Sequence, residues 1–115
     1  MDRRQSGTLA ENSAAAFLES QGFTLVARNF QRRVGEIDVV ARAGELLVVA
    51  EVRTRASDRF GGAAASISRA KQRRVAATTA LFLQRHPDLR RCRVRFDVII
   101  LRDGKVEWLK AAFDA

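Results

Sequence analysis

The sequence predicts an α/β fold, a mixed five-stranded sheet flanked by helices with its elements in the order αβββαββ. Three observations carry this. Apolar runs of strand length follow one another closely between Phe23 and Arg53, separated only by short polar or glycine-containing segments. A long amphipathic stretch, 66–85, then separates the third run from the fourth, and it is long enough for a parallel crossover, which is right-handed in nearly all cases. Finally, Asp103-Gly104 lies between the last two runs, a strong hairpin signal. The 115 residues suit one domain, 1–115, able to bury a core without staples.

Residues 6–21 read as an amphipathic helix. Ser6 or Thr8 can cap it, Glu11 stands at the capping-box spacing from Thr8, and Gly22 ends it. Leu9, Ala10, Ser13, Ala14, Phe17 and Leu18 make its inner face. Residues 23–30 alternate as a strand, and Gln31-Arg32-Arg33 forms a basic connection to strands at 35–42 and 45–53, joined at Ala43-Gly44. The run Leu46-Leu47-Val48-Val49-Ala50 is apolar throughout and marks a central strand covered on both faces. Residues 54–65, with Ser57, Asp58, Gly61 and Gly62, read as a loop. Ser66 or Ser68 caps the long helix, and His86-Pro87 closes it because the residue before proline is pushed out of the helical region. His86 is a helix-end residue rather than a catalytic one. Strands at 93–101 and 105–110 complete the order, the last carrying Trp108.

The net charge is +8, with arginine far ahead of lysine, and a surplus of this kind speaks about partners rather than fold. It points to nucleic acid, ahead of an acidic protein or a generally basic surface. Cys92 is the single cysteine and His86 the single histidine, which excludes an intrachain disulfide and disfavours a zinc site. No apolar stretch approaches the ~20 residues that cross a bilayer, and the N-terminal stretch lacks the apolar core of a signal peptide. A cytoplasmic protein without a membrane partner is the expectation.

The segment 35–55, GEIDVVARAGELLVVAEVRTR, holds carboxylates where a purely structural strand pair would not need them. With a two-residue turn at Ala43-Gly44, Arg42 pairs with Glu45, Glu36 falls opposite Glu51 and Asp38 falls opposite Val49. Glu36, Asp38, Glu51 and Arg53 then share a face, and Asp38 and Glu51 become diagonal neighbours that can converge on one cation. Solvated carboxylates are the bland alternative. Against it, Glu51 ends a buried apolar run, where a charge without a partner is costly. An all-oxygen ligand set selects a hard cation, Mg2+ or Mn2+.

Seven cations (Arg53, Arg55, Arg59, Arg69, Lys71, Arg73 and Arg74) stand against one anion, Asp58, directly after the acidic cluster. They are the candidate nucleic-acid-binding residues, since cations hold a phosphate backbone while a metal polarises the phosphate. Lys71 lies on the helical stripe Ile67, Lys71, Val75, Thr78 and Phe82, so it either snorkels to solvent or reaches across the sheet towards the carboxylates.

These residues resemble a family. Asp38 with Glu51-Val52-Arg53 looks like the PD-(D/E)xK motif of restriction-endonuclease-like nucleases. The chain is more closely similar to the bacterial YraN-like family, itself similar to archaeal Holliday-junction resolvases. The likeness runs through Glu11, Arg28-Asn29, Gly35-Glu36-Ile37-Asp38, Glu51-Val52-Arg53-Thr54-Arg55, Gly61, Lys71, Arg95-Phe96-Asp97 and Ala112-Phe113. The resemblance implies the αβββαββ core and a metal-dependent endonuclease acting on structured or branched DNA, with a homodimer as one arrangement. It implies Asp38 and Glu51 as metal ligands, Glu11 as a further ligand or water-orienting acid, Arg53 as a phosphate stabiliser and Glu36 as an accessory. Two departures stand out. Ala10 replaces a glycine before Glu11, a mild change. Arg53 replaces the motif's lysine, and arginine can stabilise phosphate charge but stays protonated and cannot act as a base. The alternative is therefore a catalytically impaired nucleic-acid-binding module on a nuclease fold.

Overall fold

The computed structural model describes residues 3–54 and 67–114, with side chains from Leu9 onwards. The order is α1 (Arg3–Ser20), β1 (Thr24–Arg32), β2 (Gly35–Ala43), β3 (Leu46–Thr54), α2 (Arg69–Gln84), β4 (Arg93–Arg102) and β5 (Lys105–Phe113), with a short 3-10 turn at Pro87–Leu89. One five-stranded sheet runs β1-β2-β3-β4-β5. Only the β3–β4 pair is parallel, and α2 lies in the crossover between them. The expected mixed sheet flanked by helices is what forms. The predicted loop at 54–65 falls largely outside the described residues, as do Arg55, Arg59, Gly61 and Ser66.

Each sheet face carries its own core. On one, Ile37, Val40, Leu47, Val49, Val98 and Ile100 pack with Val75 and Phe82 of α2. On the other, Val39, Ala41, Val48, Ala50 and Ile99 pack with Ala14 and Leu18 of α1. Leu47 through Ala50 are covered on both faces, as a continuous apolar run requires. Ser68 caps α2 by accepting from the Lys71 N–H at 3.1 Å. His86 ends the helix region with Nδ1 2.8 Å from the Phe82 carbonyl and its ring stacked on Phe82 at 4.0 Å.

Three sequence expectations need correction. The first helix begins at Arg3 rather than near Ser6, so Glu11 lies in its interior and does not close a capping box with Thr8. Arginine and glutamine are good helix formers and carry the helix back through Gly7. Its inner face holds Ala10, Ala14, Ala15 and Leu18, whereas Leu9 and Ser13 are exposed.

The turn between β2 and β3 is the third. Ala43 pairs with Leu46, so Gly44-Glu45 form the turn, and the last regular pair sets Val39 opposite Ala50. Gly44 adopts φ +60° at the first central position, the placement that a glycine-first hairpin turn demands. Paired positions shift by two relative to the expected register, so residues 39–43 and 46–50 keep their expected faces. Glu36 is therefore not opposite Glu51, nor Asp38 opposite Val49. The regular pairing ends at Val39 and Ala50, one residue short of Asp38 and Glu51.

Candidate functional site

Alternation breaks in β2 at Asp38. Ile37 packs on the α2 face and Val39 on the α1 face although they are two residues apart. In β1, Asn29 adopts φ +54°, a conformation asparagine tolerates better than most residues, and it interrupts the pairing between Arg28–Val39 and Phe30–Ile37. This irregularity leaves the Asp38 carboxylate at a break in the ladder. There Asp38 Oδ2 accepts the Val52 N–H at 2.9 Å.

Glu51 ends the central apolar run on β3 and is only 3% exposed. The Lys71 ammonium reaches down from α2 to Glu51 Oε1 at 3.2 Å. Of the two sequence readings for Lys71, reaching over the sheet is the one the structure adopts. Glu51 Oε2 is buried and finds no hydrogen-bond donor. The Asp38 carboxyl lies close enough to Glu51 for the two like charges to repel. Burial, followed by the charge of Glu51, pushes the Asp38 carboxyl up to about 7, although the Val52 N–H works in the opposite direction. The Lys71 ammonium thus bonds Glu51, while the half-buried Asp38 carboxyl and the orphaned Glu51 oxygen lie close together.

Among the described residues, no group of three or more His, Cys, Asp or Glu side chains converges to hold a metal. Glu11 stands apart from the pair, with Oε1 3.9 Å from Arg28 Nη2 and a side-chain hydrogen bond to Asn29. Burial raises its pKa, and the charge of Asp38 adds to that rise. Glu36 accepts from Gln31 Nε2 at 2.7 Å. Asp38 and Glu51 are therefore the two acids the fold brings together, and the charges of Glu51 and Glu36 raise the Asp38 carboxyl.

The basic residues divide between two sides of α2. Lys71 and Arg74 line a cleft of about 280 Å3 with Gln31, Arg32, Gly35 and Glu36. Arg69 and Arg73 line a separate cleft with Gln72, Ala76 and Asp114. Arg53 is half-buried on β3, beside Ile100 of β4. Arg32 is the cation that sequence reading treated as mere connection, because its place in the cleft depends on how β1 and β2 meet α2. Asp97 was visible only as part of a motif. It is fully buried, accepts from Arg95 Nε and Nη2 at 2.9 Å each, from Trp108 Nε1 at 2.8 Å and from the Ala111 N–H at 2.9 Å. The Ala111 N–H comes from a register break between β4 and β5, where Ala111 sits at φ +52°.

No helix among the described residues is long and apolar enough to cross a membrane. The family model of uncharacterised protein family UPF0102 matches residues 10–101. A UPF0102 protein of Nitrosomonas europaea is 46% identical over 111 residues, covering 94% of this chain and 92% of the relative. Relatives in Alkalilimnicola ehrlichii and an Enterobacter species are 44% and 43% identical, covering 96% and 98% of this chain and 88% and 87% of their own lengths. With Asp38, Glu51 and Lys71 all inside the matched span, the chain belongs to uncharacterised protein family UPF0102.

Proposed function

We propose that the protein is a metal-dependent endonuclease that hydrolyses phosphodiesters in structured or branched DNA. The observation that carries this reading is the Asp38/Glu51 pair, with one buried carboxylate oxygen left without a donor and Lys71 3.2 Å from the other. The residues fit a hard divalent cation. Mg2+ is commonly held by one or two carboxylates, its other positions going to water and substrate phosphate. When bound, such a cation would polarise the phosphate and lower the pKa of a water.

The chain's own residues do the rest. Asp38 and Glu51 hold the cation and must both be ionised to do so. Lys71, anchored on Glu51, presents its remaining N–H donors to the attacking water or to the phosphate oxygens. In this way α2 supplies the ammonium that β3 lacks at Arg53. Arg53 remains a fixed positive charge for the phosphate. Glu11, with its raised pKa, is an outer acid able to exchange a proton near the site.

The test is incubation of purified protein with Mn2+ and branched, nicked or single-stranded DNA. Metal-dependent scission, strongest on the branched substrate and absent from Asp38→Ala and Glu51→Ala, is expected. Cleavage that survives Asp38→Ala removes these residues as ligands. The second reading, a binding module without catalysis, is favoured by Arg53 in place of lysine. It gives steeply salt-dependent binding with no cleavage.

A further inference from the structure

We infer that the cleft between the β1–β2 turn and α2 is a phosphate subsite for a nucleic-acid strand, gripped by Arg32 from one wall and Arg74 from the other, beside the Asp38/Glu51 pair. The inference rests on the nucleic-acid part of the proposed function. The cleft is lined by Gln31, Arg32, Gly35, Glu36, Lys71, Arg74 and Val75. Lys71 connects it to the acid pair, since it lines the cleft and its ammonium bonds Glu51. A strand whose scissile phosphate sits at Asp38 and Glu51 must place its next phosphate nearby.

The two arginines are suited to that phosphate. Arg32 is pre-oriented: Nη1 donates to the Gln31 carbonyl at 2.6 Å and the guanidinium lies 4.1 Å above the Phe30 ring. Its other N–H donors remain for a ligand, and less side-chain entropy is lost on binding because the group is already fixed. Among the described residues, no carboxylate forms an ion pair with Arg32 or Arg74. The opposite wall is fixed equally firmly. A Cβ on Gly35 would meet Arg74 Cβ at 3.1 Å and Thr78 Oγ1 at 3.0 Å, so α2 rests directly on the first residue of β2. Only glycine permits that approach, and it sets the root of Arg74 at the cleft.

One carboxylate, Glu36, shares the cleft and opposes an anion. It is turned to Gln31, whose amide donates to it at 2.7 Å, and it faces three cations. The balance stays positive, and Glu36 disfavours a second anion beside the first. The occupant is therefore one phosphodiester group rather than a cluster of phosphates.

The experiment measures binding of a fluorescein-labelled branched DNA to the full chain in EDTA across a salt series. Arg32→Ala and Arg74→Ala should each weaken binding by about 3- to 10-fold and each lower the slope of log K against log salt by roughly one. The double variant should lose less than the two single losses combined, because both side chains hold one group. Arg91→Ala, exposed and at the opposite end of the sheet, should leave affinity and slope unchanged. Thermal melts confirm that each variant is folded. Unchanged affinity and slope in Arg32→Ala would overturn the subsite, as would a wild type that does not bind DNA. A wild type that shows the expected slopes yet never cuts DNA with Mn2+ overturns the nuclease and leaves the subsite standing.

Discussion

Asp97 on β4 and the Asp38/Glu51 pair on β2 and β3 are carboxylate sites in the same sheet, and they are partnered in opposite ways. Asp97 receives four hydrogen bonds, two of them from one guanidinium, and none of its capacity is aimed at a cavity. Those bonds also satisfy the Ala111 N–H where β5 leaves the ladder. The Asp38/Glu51 pair has two carboxyls, one ammonium, one backbone donor to Asp38 and an oxygen with no donor at all. A fully partnered buried carboxylate holds a fold together. An under-partnered pair beside a basic cleft is a candidate functional site.

Removing either site should separate these roles, most sharply in stability. Asp97→Ala leaves Arg95, Trp108 and the Ala111 N–H without their acceptor. It should cost about 3–5 kcal/mol in urea unfolding, with Tm lower by roughly 10–20 °C. Asp38→Asn should act with the opposite sign. The Asp38 carboxyl has an ordinary value of 3.8 and stands at about 7 in the folded protein. Between those values the folded state holds the extra proton. The metal-free protein therefore loses stability as pH rises from about 4 to about 7. Asp38→Asn should consequently stabilise the metal-free protein by on the order of 2 kcal/mol above that window, and change little below it. Unfolding at both ends of the range checks it.

Smaller effects test how the helix is held over the pair. Gly35→Ala inserts a methyl against Arg74 and Thr78 and should cost about 1–2 kcal/mol, with cleavage reduced because Lys71 rides on the displaced helix. Lys71→Met leaves Glu51 without its cation. It should lower metal-free stability by about 1 kcal/mol, a loss that a divalent cation restores. Its cleavage rate should nonetheless fall by at least about 100-fold.

The architecture was readable because the local signals agreed. Gly22 sits at φ +91° just past α1, and Asp103-Gly104 both take positive φ in the β4–β5 turn. The β2–β3 register was not readable, because Ala43-Gly44-Glu45 suits a turn with glycine in either central position. The shared face of Asp38 and Glu51 survived because the difference was an even step. The contact of Lys71 with Glu51 was open in the sequence, since a stripe position does not say how far a flexible side chain reaches. Arg32 and Asp97 were hidden for another reason: the place of Arg32 in the cleft depends on how α2 packs, and the bonding of Asp97 depends on the break in the β4–β5 pairing.

A calorimetric titration of Mn2+ into the protein, near pH 6 and again near pH 8, bears most directly on the acid pair. One Mn2+ per chain should bind about 10-fold more tightly at the higher pH, with proton release as Asp38 ionises. Asp38→Asn should abolish the binding. No uptake by the wild type, or uptake unchanged in the Asp38→Asn, Glu51→Gln double variant, would contradict a cation site at this pair.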